Sequence, residues 1–127
     1  MAEITSFRDL VAWQKAMDLA DAVYDVTDKF PARERFGLAQ QMRKAAVSIP
    51  SNIAEGHRHR RPSYAHFLTS ALGSHGELDT QCELATRRRF VSEADRRRLS
   101  ALLGEVGRLT NGLLRSVDVG RSQSPNP

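Results

Sequence analysis

Sixteen of the nineteen positively charged side chains in this 127-residue sequence are arginines, and they cluster. Two closely spaced runs, Arg87-Arg88-Arg89 and Arg96-Arg97-Arg98, are joined by a third basic stretch holding Arg58, Arg60 and Arg61. A guanidinium is a planar fork that grips phosphate or carboxylate with two hydrogen bonds at once. Several of them in one place bind nucleic-acid backbone by releasing counterions, with steep salt dependence and little preference for sequence. The plainer reading is that they are solvated helix ends or partners of acidic side chains. Arg87 to Arg89 also suit a helix C-terminus, where the backbone dipole favours cations. The net charge of +4 and pI of about 9.8 are only mildly basic, weak support for a polyanion partner on their own. No recognition-helix signature is present, and no aromatic-interleaved stretch of the kind that binds single strands, so base-specific readout is not expected.

The remaining chemistry-bearing residues point away from catalysis. His57 and His59 lie two apart in the basic stretch HRHRRPS, with no third metal ligand at usable spacing, and read as a surface loop. His66 and His75 have no evident base or nucleophile partner. Cys82 falls on an apolar stripe, where a small buried thiol is the default. Being the sole cysteine, it excludes an intramolecular disulfide framework and implies a reducing, cytoplasmic setting. Gln41, Asn52, Glu55, Glu77 and Gln81 are read as a hydrogen-bonded network that fixes helix register, the sharper alternative being a carboxylate pair. There is no Glu-x-x-His pair of the di-iron bundle kind, no phosphate-cradling loop and no nucleophile elbow. We therefore expect no enzyme, no metal site and no cofactor.

The elements that must position these residues are helices. Hydrophobic residues make up 40% of the chain and aromatics only 6%, and strand-like alternation is absent. Leu10, Trp13, Met17, Ala20, Tyr24 and Thr27 recur at helical spacing, from a cap at Ser6 or Asp9 to the stop at Phe30-Pro31. The second stripe is Leu38, Met42, Ala45, Ile49 and Ile53, on a helix starting near Arg33 or Glu34 and ending near Gly56. Pro50 lies inside it and costs about 3 kcal/mol in an ordinary helix interior. The period stays in register across Pro50, so we read one kinked, continuous helix with a serine hydroxyl meeting freed backbone groups; the alternative is a stop at Ile49 and a restart at Ser51. Pro62 opens a third helix striped by Phe67, Ala71, Ser74, Leu78, Cys82 and Ala85, with Leu68, Leu72 and His75 beside them. Ser92 to Asp95 begins a fourth, capping-box-like, with Leu99, Leu102, Leu103, Val106, Leu109, Leu113 and Val117 as its stripe. Residues 1–117 thus form one domain, an all-α, antiparallel up-down four-helix bundle, and residues 118–127 a disordered tail. No segment approaches the ~20 apolar residues needed to span a membrane.

The second helix carries small residues off its stripe: Ala39, Ala46, Ser48, Ser51 and Ala54. Gly73 and Gly76 interrupt the third at a cost of roughly 1 kcal/mol each. Small residues on a second face allow another backbone to come close, which points to an oligomer; a tight intramolecular bundle would also explain them. Gln41, Ser48, Pro50, Ser51, Asn52, Ala54, Glu55, Gly73, Gly76 and Gln81 are the candidate structural and interface positions.

The segments FRDLVAWQKAMDLADAVYDVT, FGLAQQMRKAAVSIPSNIAEG, FLTSALGSHGELDTQCELA and EVGRLTNGLLRSV resemble the bacterial four-helix-bundle proteins of the 23S rRNA intervening-sequence (S23) type. The resemblance runs from Phe7 to about Val117, AVSIPSNIAEG being its most specific block. Those proteins are similar in fold to the accessory variability determinant of diversity-generating retroelements, a homopentameric barrel that binds nucleic acid and a reverse transcriptase. The resemblance thus implies a homopentameric ring with nucleic acid, and a protein such as a reverse transcriptase, as partners. The triple-arginine runs lie outside the shared blocks and are not implied by it. The expectation is a non-enzymatic oligomer binding RNA or DNA through arginine-rich bundle ends, as an accessory to RNA processing or reverse transcription. The alternative is a ring-shaped adaptor for a protein partner.

Overall fold

The computed structural model of the chain describes residues 6–122, the side chains of Arg61 and of residues 118–122 excepted. Four helices carry it: α1 Val11–Thr27, α2 Leu38–His57, α3 Arg61–Arg87 and α4 Glu93–Ser122. Two single-turn 3-10 segments, Phe7–Asp9 and Ala32–Glu34, precede α1 and α2, and no strand occurs among the described residues. Each helix packs on its neighbours in the chain, and α1 also closes on α4. Contacts rise along one helix as they fall along the next. Ser48 bonds Ser74 while Gly56 meets Phe67; Lys15 pairs with Glu105 while Asp25 pairs with Arg98.

The core is aliphatic and tight. Leu19, Val23 and Val26 of α1, Met42, Ile49 and Ile53 of α2, Leu68 and Leu78 of α3, and Leu99 and Val106 of α4 are fully buried. For α2 the stripe read from spacing is the buried one, Leu38 being half-buried at its start. For α1 it is so only in part. Trp13 is half-buried, while Met17 and Tyr24 are 40% and 45% exposed; the inward face is Ala12, Ala16, Leu19, Val23 and Val26. Both faces of α1 are apolar, and the core takes the slimmer one because a square of close helices has room for alanine and valine, not for indole and phenol. In α4 the fully inward residues are Leu99, Leu103 and Val106, with Leu102, Leu109 and Leu113 half-buried beside them.

Local chemistry sets the boundaries. α2 begins at Leu38 rather than at Arg33 or Glu34, because Gly37 leaves the helical region (φ −108°, ψ −116°) and Glu34 Oε1 accepts from the Leu38 amide at 3.2 Å. α2 then runs unbroken through the buried Pro50. The carbonyl that Pro50 leaves without a donor is that of Ala46, yet Ser51 Oγ donates to the neighbouring Val47 carbonyl (2.7 Å) and Asn52 Nδ2 to that of Ser48 (2.8 Å). α4 is capped as expected, Asp95 N donating to Ser92 Oγ at 3.1 Å. It extends to Ser122, into the segment expected as tail: after Val117 the first proline is Pro125, so nothing sterically ends the helix earlier. The rest of that tail, residues 123–127, lies outside the described residues.

Candidate nucleic-acid interface

One end of the bundle gathers the C-termini of α1 and α3 and the N-termini of α2 and α4. The rings of Phe30 and Phe90 meet there with centroids 5.5 Å apart, and the Arg33 guanidinium lies over Phe90 at 5.7 Å. Lys29 Nζ ties α1 to α4 through Asp95 at 2.9 Å. The turn after α3 is built by two reversed hydrogen bonds, Phe90 N to Ala85 O (2.9 Å) and Arg89 N to Thr86 O (3.0 Å), the Schellman arrangement. That geometry places Arg89 at φ 62°, a left-handed conformation held here by a residue with a Cβ. Such positions normally go to glycine or asparagine, and a longer side chain costs roughly 1–2 kcal/mol.

This turn brings both triple-arginine runs to the same end, but the six side chains are not equivalent. Arg96 grips Glu93 with two bonds of 2.9 and 2.7 Å, and Arg97 Nε adds a third at 3.2 Å. The hydrogen bond from Arg96 is the main reason the Glu93 carboxyl is pulled down to about 2, helped by the charges of both guanidiniums. Arg98 reaches across to Asp25 on α1 at 3.3 Å, and Arg87 lies 3.9 Å from Glu83. Arg88 and Arg89 are exposed and meet no carboxylate among the described residues. Two guanidiniums sharing one carboxylate, with two more unneutralised beside them, leave this surface positive.

Arg58 and Arg60 are exposed at the opposite end. The 27-residue α3 sets the two ends about 40 Å apart at ~1.5 Å per residue, so the candidate arginines form two surfaces. Arg61 is the first residue of α3, and its side chain lies outside the described residues. Here the structure adds what the sequence did not reveal. Phe7 packs on Trp13, His57 on Tyr64, and His59 and His66 both on Phe67. Five of these rings lie in the stretch HRHRRPSYAHF, which reads as a loop and a helix start and not as a ring cluster; Phe7 and Trp13 come from the start of the described chain.

The interface positions also separate. Ser48 Oγ, Ser74 Oγ (2.8 Å) and Asn52 Nδ2 (3.0 Å from Ser48 Oγ) make a polar seam between α2 and α3. The wider network expected with Gln41, Glu55, Glu77 and Gln81 does not form. Gln41 is exposed, Glu55 pairs locally with His59 (3.2 Å), and Gln81 with Glu77 (3.2 Å). These residues point from different turns, so Glu55, Glu77 and Gln81 find partners one helical turn away. Ala39 and Ala46 are core residues. Pro50, Ser51 and Ala54 instead line an outer trough of about 460 Å³ with Phe7, Trp13, Met17 and Tyr24. It runs, through Tyr24 and Val47, into a second hollow bordered by Phe36, whose ring is 82% exposed. A Cβ added at Gly73 or Gly76 meets nothing within 4 Å, so neither marks a close approach inside this chain. The intimate contacts are at Gly56, where it would lie 2.9 Å from Phe67 Cβ, and at Gly107, 3.1 Å from the His75 ring.

The family model for the 23S rRNA-intervening sequence protein matches residues 8–112. The chain belongs to that family. Its fold is similar to the crystal structure of a protein of unknown function from the S23 ribosomal protein family of Bacteroides thetaiotaomicron VPI-5482. The TM-score is 0.76 at 19% identity, over 83% of this chain and 96% of that one. No curated protein matches it significantly.

In this family member Cys82 is buried at the floor of a groove between α3 and α4. Burial, and secondarily the charge of Asp79, pushes its thiol up to about 12, the opposite of an activated nucleophile. His75 Nε2 donates to the Leu103 carbonyl at 2.7 Å and serves the α3–α4 seam. Among the described residues no group of three or more His, Cys, Asp or Glu is placed to hold a metal, and no helix is long and apolar enough to cross a membrane.

Proposed function

We propose that this family member is a non-enzymatic, homo-oligomeric protein that binds RNA or DNA through its arginine-rich bundle end. In this reading it acts in the cytoplasm as an accessory to an RNA-processing or reverse-transcription complex, with a protein such as a reverse transcriptase as a further partner. The observation that carries the reading is the pair Arg88 and Arg89, exposed on a strained turn and without a carboxylate among the described residues. Its test is a mobility-shift titration with RNA and DNA at low and moderate salt. Binding is expected to weaken across all sequences alike when Arg88 and Arg89 are changed to glutamine. The salt slope should fall by roughly 0.7 for each single-strand phosphate that is no longer neutralised. Absence of binding even at about 50 mM salt, where phosphate contacts are strongest, rejects it.

The protomer in this reading is an up-down bundle bent at Pro50, and five copies close into a ring. Two features support assembly: the outer trough of Trp13, Met17, Tyr24, Val47 and Pro50, and the open surface at Gly73 and Gly76. An apolar trough against an open small-residue face is the head-to-tail pairing from which rings are built. A ring multiplies the arginine end into a positive rim. Light scattering tests it: a mass of 14.2 kDa, that of one chain, excludes the ring.

A second reading is favoured by the pairing of Arg96 and Arg97 with Glu93. If those arginines serve structure alone, the ring is an adaptor for a protein partner. That reading expects a co-purifying protein and no salt-dependent binding of nucleic acid.

A further inference from the structure

The end of the bundle opposite the arginine runs is organised by Gly56. A Cβ there would lie 2.9 Å from Phe67 Cβ and 2.9 Å from Tyr64 Cδ1. The bare backbone lets the last turn of α2 settle onto the first turns of α3, and the two rings are thereby held under the turn His57–Arg60. His57 stands edge-on to Tyr64 at 5.9 Å and His66 edge-on to Phe67 at 5.6 Å. His59 differs: its ring lies nearly parallel to Phe67, centroids 5.2 Å apart at 20°. One face of the imidazole is covered by Phe67, and the side chain is 42% exposed on the other. Glu55 Oε1, 3.2 Å from His59 Nε2, fixes the ring's rotation from its edge. Arg58 and Arg60, on either side of His59 in the chain, are exposed. Arg58 also leans over the Phe7 ring at 5.8 Å, with Arg8 over the same ring at 4.6 Å.

A flat ring backed by a second ring and partly exposed, between two exposed arginines in the chain, matches the two demands of an unpaired nucleotide: a π-surface for the base and cations for the adjoining phosphates. We propose that this end is a stacking platform for single-stranded nucleic acid. One base lies on the outer face of His59, continuing the His59–Phe67 stack, and its neighbouring phosphates lie on Arg58 and Arg60. Glu55 is a positioning residue that holds the imidazole flat. The platform rests on the reading of this chain as a nucleic-acid binder. It adds a contact that reads the presence of bases, which the arginine end does not.

The experiment compares two probes of equal length and charge on the full chain at low salt: a short oligoadenylate and the same backbone with every base removed. Stacking is worth roughly 1–3 kcal/mol per base, so the base-bearing strand is expected to bind at least about fivefold tighter. His59→Ala should lower its affinity to that of the abasic strand. His59→Phe, which keeps a flat ring, should restore the preference, and unchanged helicity of both variants excludes unfolding as the cause. Arg88→Gln with Arg89→Gln should weaken both strands in the same proportion. Equal binding of the two strands by the native protein overturns the platform and leaves the phosphate reading standing. Binding of neither strand overturns both.

Discussion

Arg89 is the residue at which stability and binding are set against each other. Its left-handed backbone favours glycine, so Arg89→Gly should stabilise the fold by about 0.5–1 kcal/mol in chemical denaturation, by removing the conformational strain of a residue with a Cβ. The same change removes one of the two guanidiniums of the triple runs that meet no carboxylate among the described residues and should lower affinity for RNA in a titration at low salt. A purely structural role for the turn gives the first effect without the second. Cys82 makes a separate statement in pH. Its folded thiol holds the proton up to about 12, against an ordinary 9.0. An acid raised in the folded state contributes stability that is whole below about 9 and is lost as the pH climbs toward 12. A thiol reagent at pH 8 should therefore label the folded protein far more slowly than the denatured one.

At the scale of elements, α4 is strengthened at its start by the acid that quiets its arginines. Glu93→Gln should release Arg96 and Arg97 and tighten nucleic-acid binding in the same titration, with little loss of thermal stability, since exposed ion pairs are screened by solvent and contribute little. The native pair is expected to persist well below the ordinary carboxylate range and to be lost only as pH falls toward 2, because the Glu93 carboxyl is held down by its arginine bonds. Helix positions were readable from spacing because each helix has a stripe and a punctuating residue: Pro31, Gly56, Pro62 and Ser92. The inward face of α1 was legible only in part: Leu10, Ala20 and Thr27 are buried, Trp13, Met17 and Tyr24 are not. Trp13, Met17 and Tyr24 keep the same period as Leu19, Val23 and Val26, and periodicity reports a face without saying which surface covers it. Gly73 and Gly76 leave open surface within this chain, so the intramolecular explanation for them does not hold. The arginine end was legible because its runs are local in sequence. The aromatic end was not, because HRHRRPS reads as a solvated loop and spacing alone does not show that His59 stacks on Phe67.

For the molecule as a whole, the face left unpacked by α1 is the test of assembly. Tyr24→Lys with Val47→Lys places two charges in the middle of the outer trough and none in the core. Light scattering should then report a smaller particle than the native protein, while helicity stays unchanged; an unaltered mass assigns the subunit interface to another face. The indole–phenyl contact of Trp13 and Phe7, 5.3 Å between centroids, has a thermodynamic consequence. Phe7 lines that trough and also carries Arg8 and Arg58 on its ring. A side chain shared by two surfaces couples their free energies. If a strand draws Arg58 away, the ring is freed to move, and the factor by which the strand alters subunit affinity must equal the factor by which assembly alters affinity for the strand. Trp13 is the only tryptophan in the chain, so its emission should respond both to dilution and to added strand. The two responses should be non-additive, and strict additivity would show that the two surfaces are energetically independent.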